Sequence, residues 1–197
     1  MTQARINPRK MPTQARAKAS VQAILEAAAH ILERGGLENL TTNHVAEVAG
    51  VSIGTLYQYF PSKEAILTDI IRQKRAKLLT DLQAATQAMQ GEPFDDTLIK
   101  LLRAAVDSQL HWPKLSKALE YAESYLPLEQ ETRLLNAQIN QTIVTFLEHH
   151  RVPDAPVAAR DLVSALRGMI DGAGLAGETD AQALFVRALK LAKGYLA

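Results

Sequence analysis

The sequence predicts an all-α protein in which an N-terminal three-helix unit is joined by a connecting helix to a larger helical body. Apolar residues recur at the three-and-four spacing of one helix face along most of the chain. Prolines fall between those periodic segments, where a helix can stop. No run of alternating β-branched residues, the mark of a half-buried strand, appears.

With 197 residues, 47% hydrophobic and 22% charged, the chain has the composition of a globular protein with one good core, or of a small domain attached to a larger one. There is no cysteine, which excludes disulfides, thiolate metal sites and cysteine nucleophiles. The opening "MTQARINPRK" lacks the apolar core of a signal peptide, and no apolar run approaches the roughly 20 residues that span a bilayer. A cytoplasmic protein without a membrane partner is expected. The net charge of +1 conceals an asymmetry. Up to Lys77 there are eleven Lys and Arg against six Asp and Glu, and beyond it eleven against fifteen. A basic front on an acidic body suits a polyanionic partner for the front alone, although uneven surface charge explains it equally well.

Residues 1–16, with Arg5, Arg9, Lys10, Arg16 and two prolines, read as a flexible basic arm that could enter a minor groove. From Ala17 a helical stripe follows through Val21, Ile24, Leu25, Ala28, Ile31 and Leu32, and Gly35 and Gly36 stop it. Leu37 and Leu40 anchor the link to a second helix, which Thr41 or Thr42 caps and which buries Val45, Ala46, Val48 and Ala49. Gly50 ends that helix and Ser52 caps a third, where Leu56 and Phe60, four apart, point inward. After Pro61, Ser62 caps a fourth helix whose first turn carries Glu64, favoured there by the helix dipole. It runs through Ile66, Leu67, Ile70 and Ile71 to about Met89. The body follows as helices over about 94–110, 113–125, 128–150, 157–175 and 180–195. The segment 157–175 is apolar on almost every face, which a helix near the end of a small protein satisfies most easily against a partner subunit.

Two short helices separated by "AGVS" form a helix-turn-helix supported from behind by the first helix. The second needs only two turns because it is read by a groove about 12 Å wide. The inward set leaves Ile53, Gly54, Thr55, Gln58 and Tyr59 facing out, where small and amide side chains can approach base edges.

The stretch "TTNHVAEVAGVSIGTLYQYFPSKEAIL", residues 41–67, strongly resembles the DNA-binding signature of the tetracycline-repressor (TetR) family, and the similarity covers roughly residues 17–70. The resemblance implies three parts: the arm 1–16, a helix-turn-helix domain over 17–62, and a connecting helix with a ligand-binding and dimerisation domain over 63–197. It implies that Thr42, Tyr57 and Lys63 grip phosphates. Ser52, Thr55, Gln58 and Tyr59 would meet bases or nearby backbone. Arg16, Thr41, Asn43, Ile53 and Gly54 complete the expected contact set. Ile53 departs from relatives, which often carry a polar or basic residue there, and it suits a thymine methyl better than a phosphate. Asn43 can pair with adenine, or reach only backbone from the edge of its helix.

In the body, Trp112, Tyr121 and Tyr125 are candidate cavity walls, with Phe146 and Met169 beside them and Asn140 and Thr142 as polar contacts, although such clusters are more often plain core. Leu166, Gly172, Ala173, Phe185, Ala188, Leu191 and Ala192 are expected to face a second copy. His149 and His150 are adjacent on a helix and cannot share a metal ion, and no cofactor or metal site is expected. The resulting reading is a ligand-responsive transcriptional regulator, by family analogy a repressor. It would bind double-stranded DNA as a homodimer and release it on binding a small, mostly apolar effector. One rival is a helical-bundle enzyme carrying a helix-turn-helix, but no Glu-x-x-His motif, nucleophile elbow or phosphate-binding glycine loop is present. The other is a protein-interaction adaptor, which leaves the outward residues of the third helix unexplained.

Overall fold

The computed structural model describes residues 6–8 and 15–197, with side chains from residue 17 onward and in 6–8. The rest of the basic arm and the Arg16 side chain, assigned to DNA by the sequence, lie outside the described residues. The helices are α1 (Ala15–Gly35), α2 (Thr42–Val48), α3 (Ile53–Tyr59), α4 (Lys63–Gln87), α5 (Phe94–Leu110), α6 (Pro113–Glu123), α7 (Glu129–His149), α8 (Ala155–Leu175) and α9 (Ala181–Leu196). A 3-10 turn, Leu37–Asn39, links α1 to α2, and no strand occurs among the described residues. None of these helices is long and apolar enough to cross a membrane.

The chain divides into two compact units, one comprising residues up to Gln73 together with Lys114–Pro127 and the other Lys74–Pro113 with Leu128–Ala197. This differs from a boundary at residue 62. The first eleven residues of α4 belong to the front unit because Ala65, Ile66, Leu67, Ile70 and Ile71 are all buried. The front unit also takes α6, which contributes the buried Leu119 and Ala122. A hydrogen bond joins α6 to α1: the Glu33 carboxylate accepts from the Leu115 N–H at 2.7 Å. An acid from another helix thus satisfies one of the unpaired amides in the first turn of α6, where negative charge is favoured.

Within the front unit α1 packs on α2 and α3. Its expected stripe is buried, with Ile24, Ala28 and Leu32 fully enclosed. The rear unit is centred on Leu98, Leu102, Val106, Phe146, Leu147 and Leu184. Phe94 stacks on Phe146 with ring centroids 4.9 Å apart, which closes one end of that core. Here α7 packs on α8, α5 on α9, and α8 on α9.

Candidate nucleic-acid interface

Local hydrogen bonds define both ends of the short helices. Thr41 is the N-cap of α2, its hydroxyl accepting from the His44 N–H at 3.2 Å. The helix ends at Gly50, whose φ of 66° lies in the left-handed region that favours glycine. There the Val51 N–H reaches back to the Ala46 carbonyl at 3.0 Å. Ser52 caps α3 by accepting from the Thr55 N–H at 3.0 Å, and the Ser52 and Thr55 hydroxyls lie 2.8 Å apart. Ser62 opens α4, accepting from the Ala65 N–H at 3.3 Å. These caps let two seven-residue helices, too short to be stable alone, persist on the core.

Packing then sorts the residues of α3. Leu56 and Phe60 are fully buried, as their spacing requires, but Tyr59 is buried with them at 9% exposure. This corrects the outward placement of Tyr59: it lies three residues after Leu56 and therefore on the same face. The surface of α3 consists of Ile53, Gly54, Tyr57 and Gln58, with Thr55 half-buried. Tyr57 is held at its phenol, which lies 3.0 Å from the Thr42 hydroxyl. The pair places two hydroxyls beside the N-terminus of α2, a suitable arrangement for a phosphate oxygen. Asn43 is exposed on the first turn of α2 and Lys63 on the first turn of α4.

Glycine at position 54 is not required by the fold. A Cβ there would meet only the Ser52 hydroxyl, at 3.8 Å. No acidic residue occurs between Glu47 and Glu64, so the turn and all of α3 carry no negative side chain. Deeper in the unit, burial pushes the Asp69 carboxyl above its ordinary value, against the opposing pull of Arg72. Two residues of α2 that were given no DNA-facing role from the sequence are also exposed. Val48, expected to be buried, is 49% exposed at the end of α2, and His44 donates from Nδ1 to the Asn39 carbonyl at 3.0 Å. Only the position of His44 three residues after a capping threonine hinted at its place.

The expected cavity residues are divided between the two units. Tyr121 and Tyr125 form an edge-to-face pair, 66% and 50% exposed, in the front unit, whereas Trp112, Asn140, Thr142, Phe146 and Met169 belong to the rear unit. The Thr142 hydroxyl donates to the Gln138 carbonyl of its own helix at 2.9 Å, and Phe146 is core. Asn140 is different: its Oδ1 is buried without a hydrogen-bond partner. Of the expected dimer residues, Phe185, Ala188 and Ala192 lie inside the chain's own core and cannot face a second copy. Leu166, Ala173 and Leu191 are half-buried and Gly172 is exposed. Among the described residues no group of three or more His, Asp or Glu could hold a metal ion.

The family model described as "Bacterial regulatory proteins, tetR family" matches residues 24–70. The transcriptional repressor KstR of Mycobacterium tuberculosis is 31% identical over 103 residues, 51% of this chain and 47% of KstR, so the chain spans about half the length of that relative. The transcriptional regulator BetI of Burkholderia thailandensis is 26% identical over 179 residues, 88% of this chain and 89% of BetI, and the fold likeness runs over a similar length. A TetR transcription regulator from Haloarcula marismortui superposes with a TM-score of 0.70 at 19% identity, covering 91% of this chain and 97% of that one. A structure of SmeT in complex with triclosan gives 0.65 at 18% identity, over 89% and 90%. Residues 24–70 thus carry the DNA-binding segment typical of the tetR family of bacterial regulatory proteins, and the chain as a whole has the fold of solved TetR regulators.

Proposed function

We propose that this protein is a transcriptional repressor that reads a near-palindromic DNA site as a homodimer and lets go of it when a small, mostly apolar effector binds the rear unit. The outer face of α3 carries this reading. Leu56, Tyr59 and Phe60 are turned into the core, while Ile53, Gly54, Tyr57 and Gln58 are left on the surface of a helix that carries no acidic residue. Tyr57, Thr42 and Lys63 act on phosphates. Gln58, Ile53 and the half-buried Thr55 act on bases or adjacent backbone, with Asn43 at the edge. Ser52 and Thr41 act chiefly as caps, and Tyr59 supports α3 from behind.

The second copy docks on the outer sides of α8 and α9. Val157, Leu175 and Val186 are each about half exposed there, and Gly168 and Gly172 leave open space above the backbone. Leu166, Ala173 and Leu191 border that surface. A two-fold axis through it sets the two α3 helices about one DNA turn, roughly 34–36 Å, or somewhat more apart. The effector is held in the rear unit, where the Asn140 Oδ1 offers an acceptor, the half-buried Met169 offers apolar contact, and Trp112 belongs to the same unit. SmeT, of the same fold, binds triclosan, an example of such a small molecule. An effector that favours the non-binding state by about 1–3 kcal/mol changes DNA affinity some 5- to 150-fold.

The test is selection from a random duplex library with the full chain, followed by a salt titration on the enriched site. Affinity falls steeply with salt, and Lys63→Ala lowers the log–log slope by about one per subunit while weakening all sequences alike. Failure to enrich any sequence, together with a flat salt response, refutes the proposal.

A further inference from the structure

The fold covers the side chain of Ile53 only in part. It starts α3, more than a third of its surface is open at 37%, and the inward face of the helix is already filled by Leu56, Tyr59 and Phe60. The part of a branched aliphatic side chain that stays in water forgoes the gain its burial would bring. Its surroundings narrow what can provide that burial. Gly54 beside it has no side chain, and the space above its backbone is open apart from the Ser52 hydroxyl. The two nearest hydroxyls, of Ser52 and Thr55, are engaged with each other at 2.8 Å. Hydrocarbon is therefore what this end of α3 presents. Isoleucine has no donor or acceptor and cannot pair with the polar edges of guanine, adenine or cytosine. The one apolar group displayed in the major groove is the 5-methyl of thymine.

We infer that Ile53 is a specificity-determining residue that selects a 5-methylated pyrimidine, one per half-site, by enclosing its methyl group. This rests on the DNA-reading role of α3 proposed above. It adds a chemical requirement that no hydrogen-bonding residue on that face can impose.

Deoxyuridine differs from thymidine only in lacking the methyl, so it isolates the contact. With the full chain and the best site from the library selection, each thymine is replaced singly by deoxyuridine. One position per half-site should weaken wild-type binding about fourfold, and replacement in both half-sites about sixteenfold, from the loss of one buried carbon each time. Ile53→Val keeps the penalty. Ile53→Ser binds the thymine and uracil sites equally, with an unchanged melting temperature as the sign that α3 is intact. At the same position, 5-methylcytosine should exceed cytosine for the wild type and not for Ile53→Ser.

If no deoxyuridine replacement costs as much as 1.5-fold, or if Ile53→Ser retains the full penalty, the inference is overturned while DNA reading by α3 stands. If the library yields no preferred site at all, the repressor reading itself falls, and this inference with it.

Discussion

Two faces of the molecule are left open, and they differ in kind. The face of α3 mixes one branched aliphatic residue with a glycine, an amide and hydroxyls, and it carries no acid. The outer sides of α8 and α9 are aliphatic around Val157, Leu175 and Val186; Arg167 and Asp171 pair on α8 at 3.3 Å, and Arg187 of α9 pairs at 2.7 Å with Glu178 in the turn between the two helices. A surface with many small polar groups gains most from a partner with patterned donors and acceptors, such as base edges and phosphates. A broad aliphatic surface gains most from another aliphatic surface, such as a second copy. Exposure alone does not separate the two uses. The chemistry of what is exposed does.

The contrast breaks most visibly at the rear. Leu175→Arg places a charge in the proposed aliphatic interface, at a cost on the order of 3 kcal/mol or more per copy if the charge is buried without a partner. Because Leu175 is exposed in the single chain at 51%, the fold should survive. Sedimentation should show a dimer for the wild type and a monomer for the variant, whose affinity for a two-half-site operator should collapse. A variant that still sediments as a dimer would move the interface elsewhere.

At the front, Gly54→Ala should separate folding from reading. Alanine is the better helix former by up to about 1 kcal/mol, and the site has room for its methyl. The melting temperature should stay the same or rise slightly. DNA affinity should fall about tenfold or more, roughly 1.4 kcal/mol, because the methyl stands where the duplex must approach. Unchanged affinity would mean that DNA does not come close to α3 at this point.

The smallest effect concerns pH and the rear unit alone. The His150 ring lies edge-on to Phe94 and Phe146, each with centroids 5.2 Å away, and beside His149 at 4.9 Å. Burial, then the neighbouring His149, holds its pKa below the ordinary 6.5. A group whose folded pKa is depressed contributes stability above its unfolded value and loses it as pH falls. The rear unit should therefore lose a little stability as pH drops from about 6.5, and His150→Phe should remove that component of the loss in thermal melts recorded over this range. An identical slope in the variant would assign the effect to other groups.

The difference between the two regions also governs what could be read from the sequence. The front unit is specified locally. Thr41, Gly50, Ser52 and Ser62 punctuate it, and each hydrogen bond or turn that they make spans five residues or fewer. Tyr59 is inward because the three-residue spacing from Leu56 shares a helix face with the four-residue spacing from Leu56 to Phe60.

The rear unit is specified by distant contacts. A periodic stripe on α9 locates a face, but the core that encloses Phe185, Ala188 and Ala192 is built by α5 and α8 as well as by α9. The same holds for α6, whose place in the front unit is marked by a bond from Glu33 to Leu115, 82 residues further on. No local pattern encodes such a pairing. It follows that an aromatic pair such as Tyr121 and Tyr125 can be seen in the sequence without being assigned to the right unit.

The most direct test of α3 as a reading helix is base preference, because it separates recognition from mere attachment. The affinities of the wild type and of Gln58→Ala should be measured in parallel over a library holding every single-base change in the selected site. Loss of discrimination at one position per half-site, by about 1–3 kcal/mol, with the other positions unaffected, is the predicted result. A uniform drop over all sites would contradict it, and the outer face of α3 would then hold DNA without reading it.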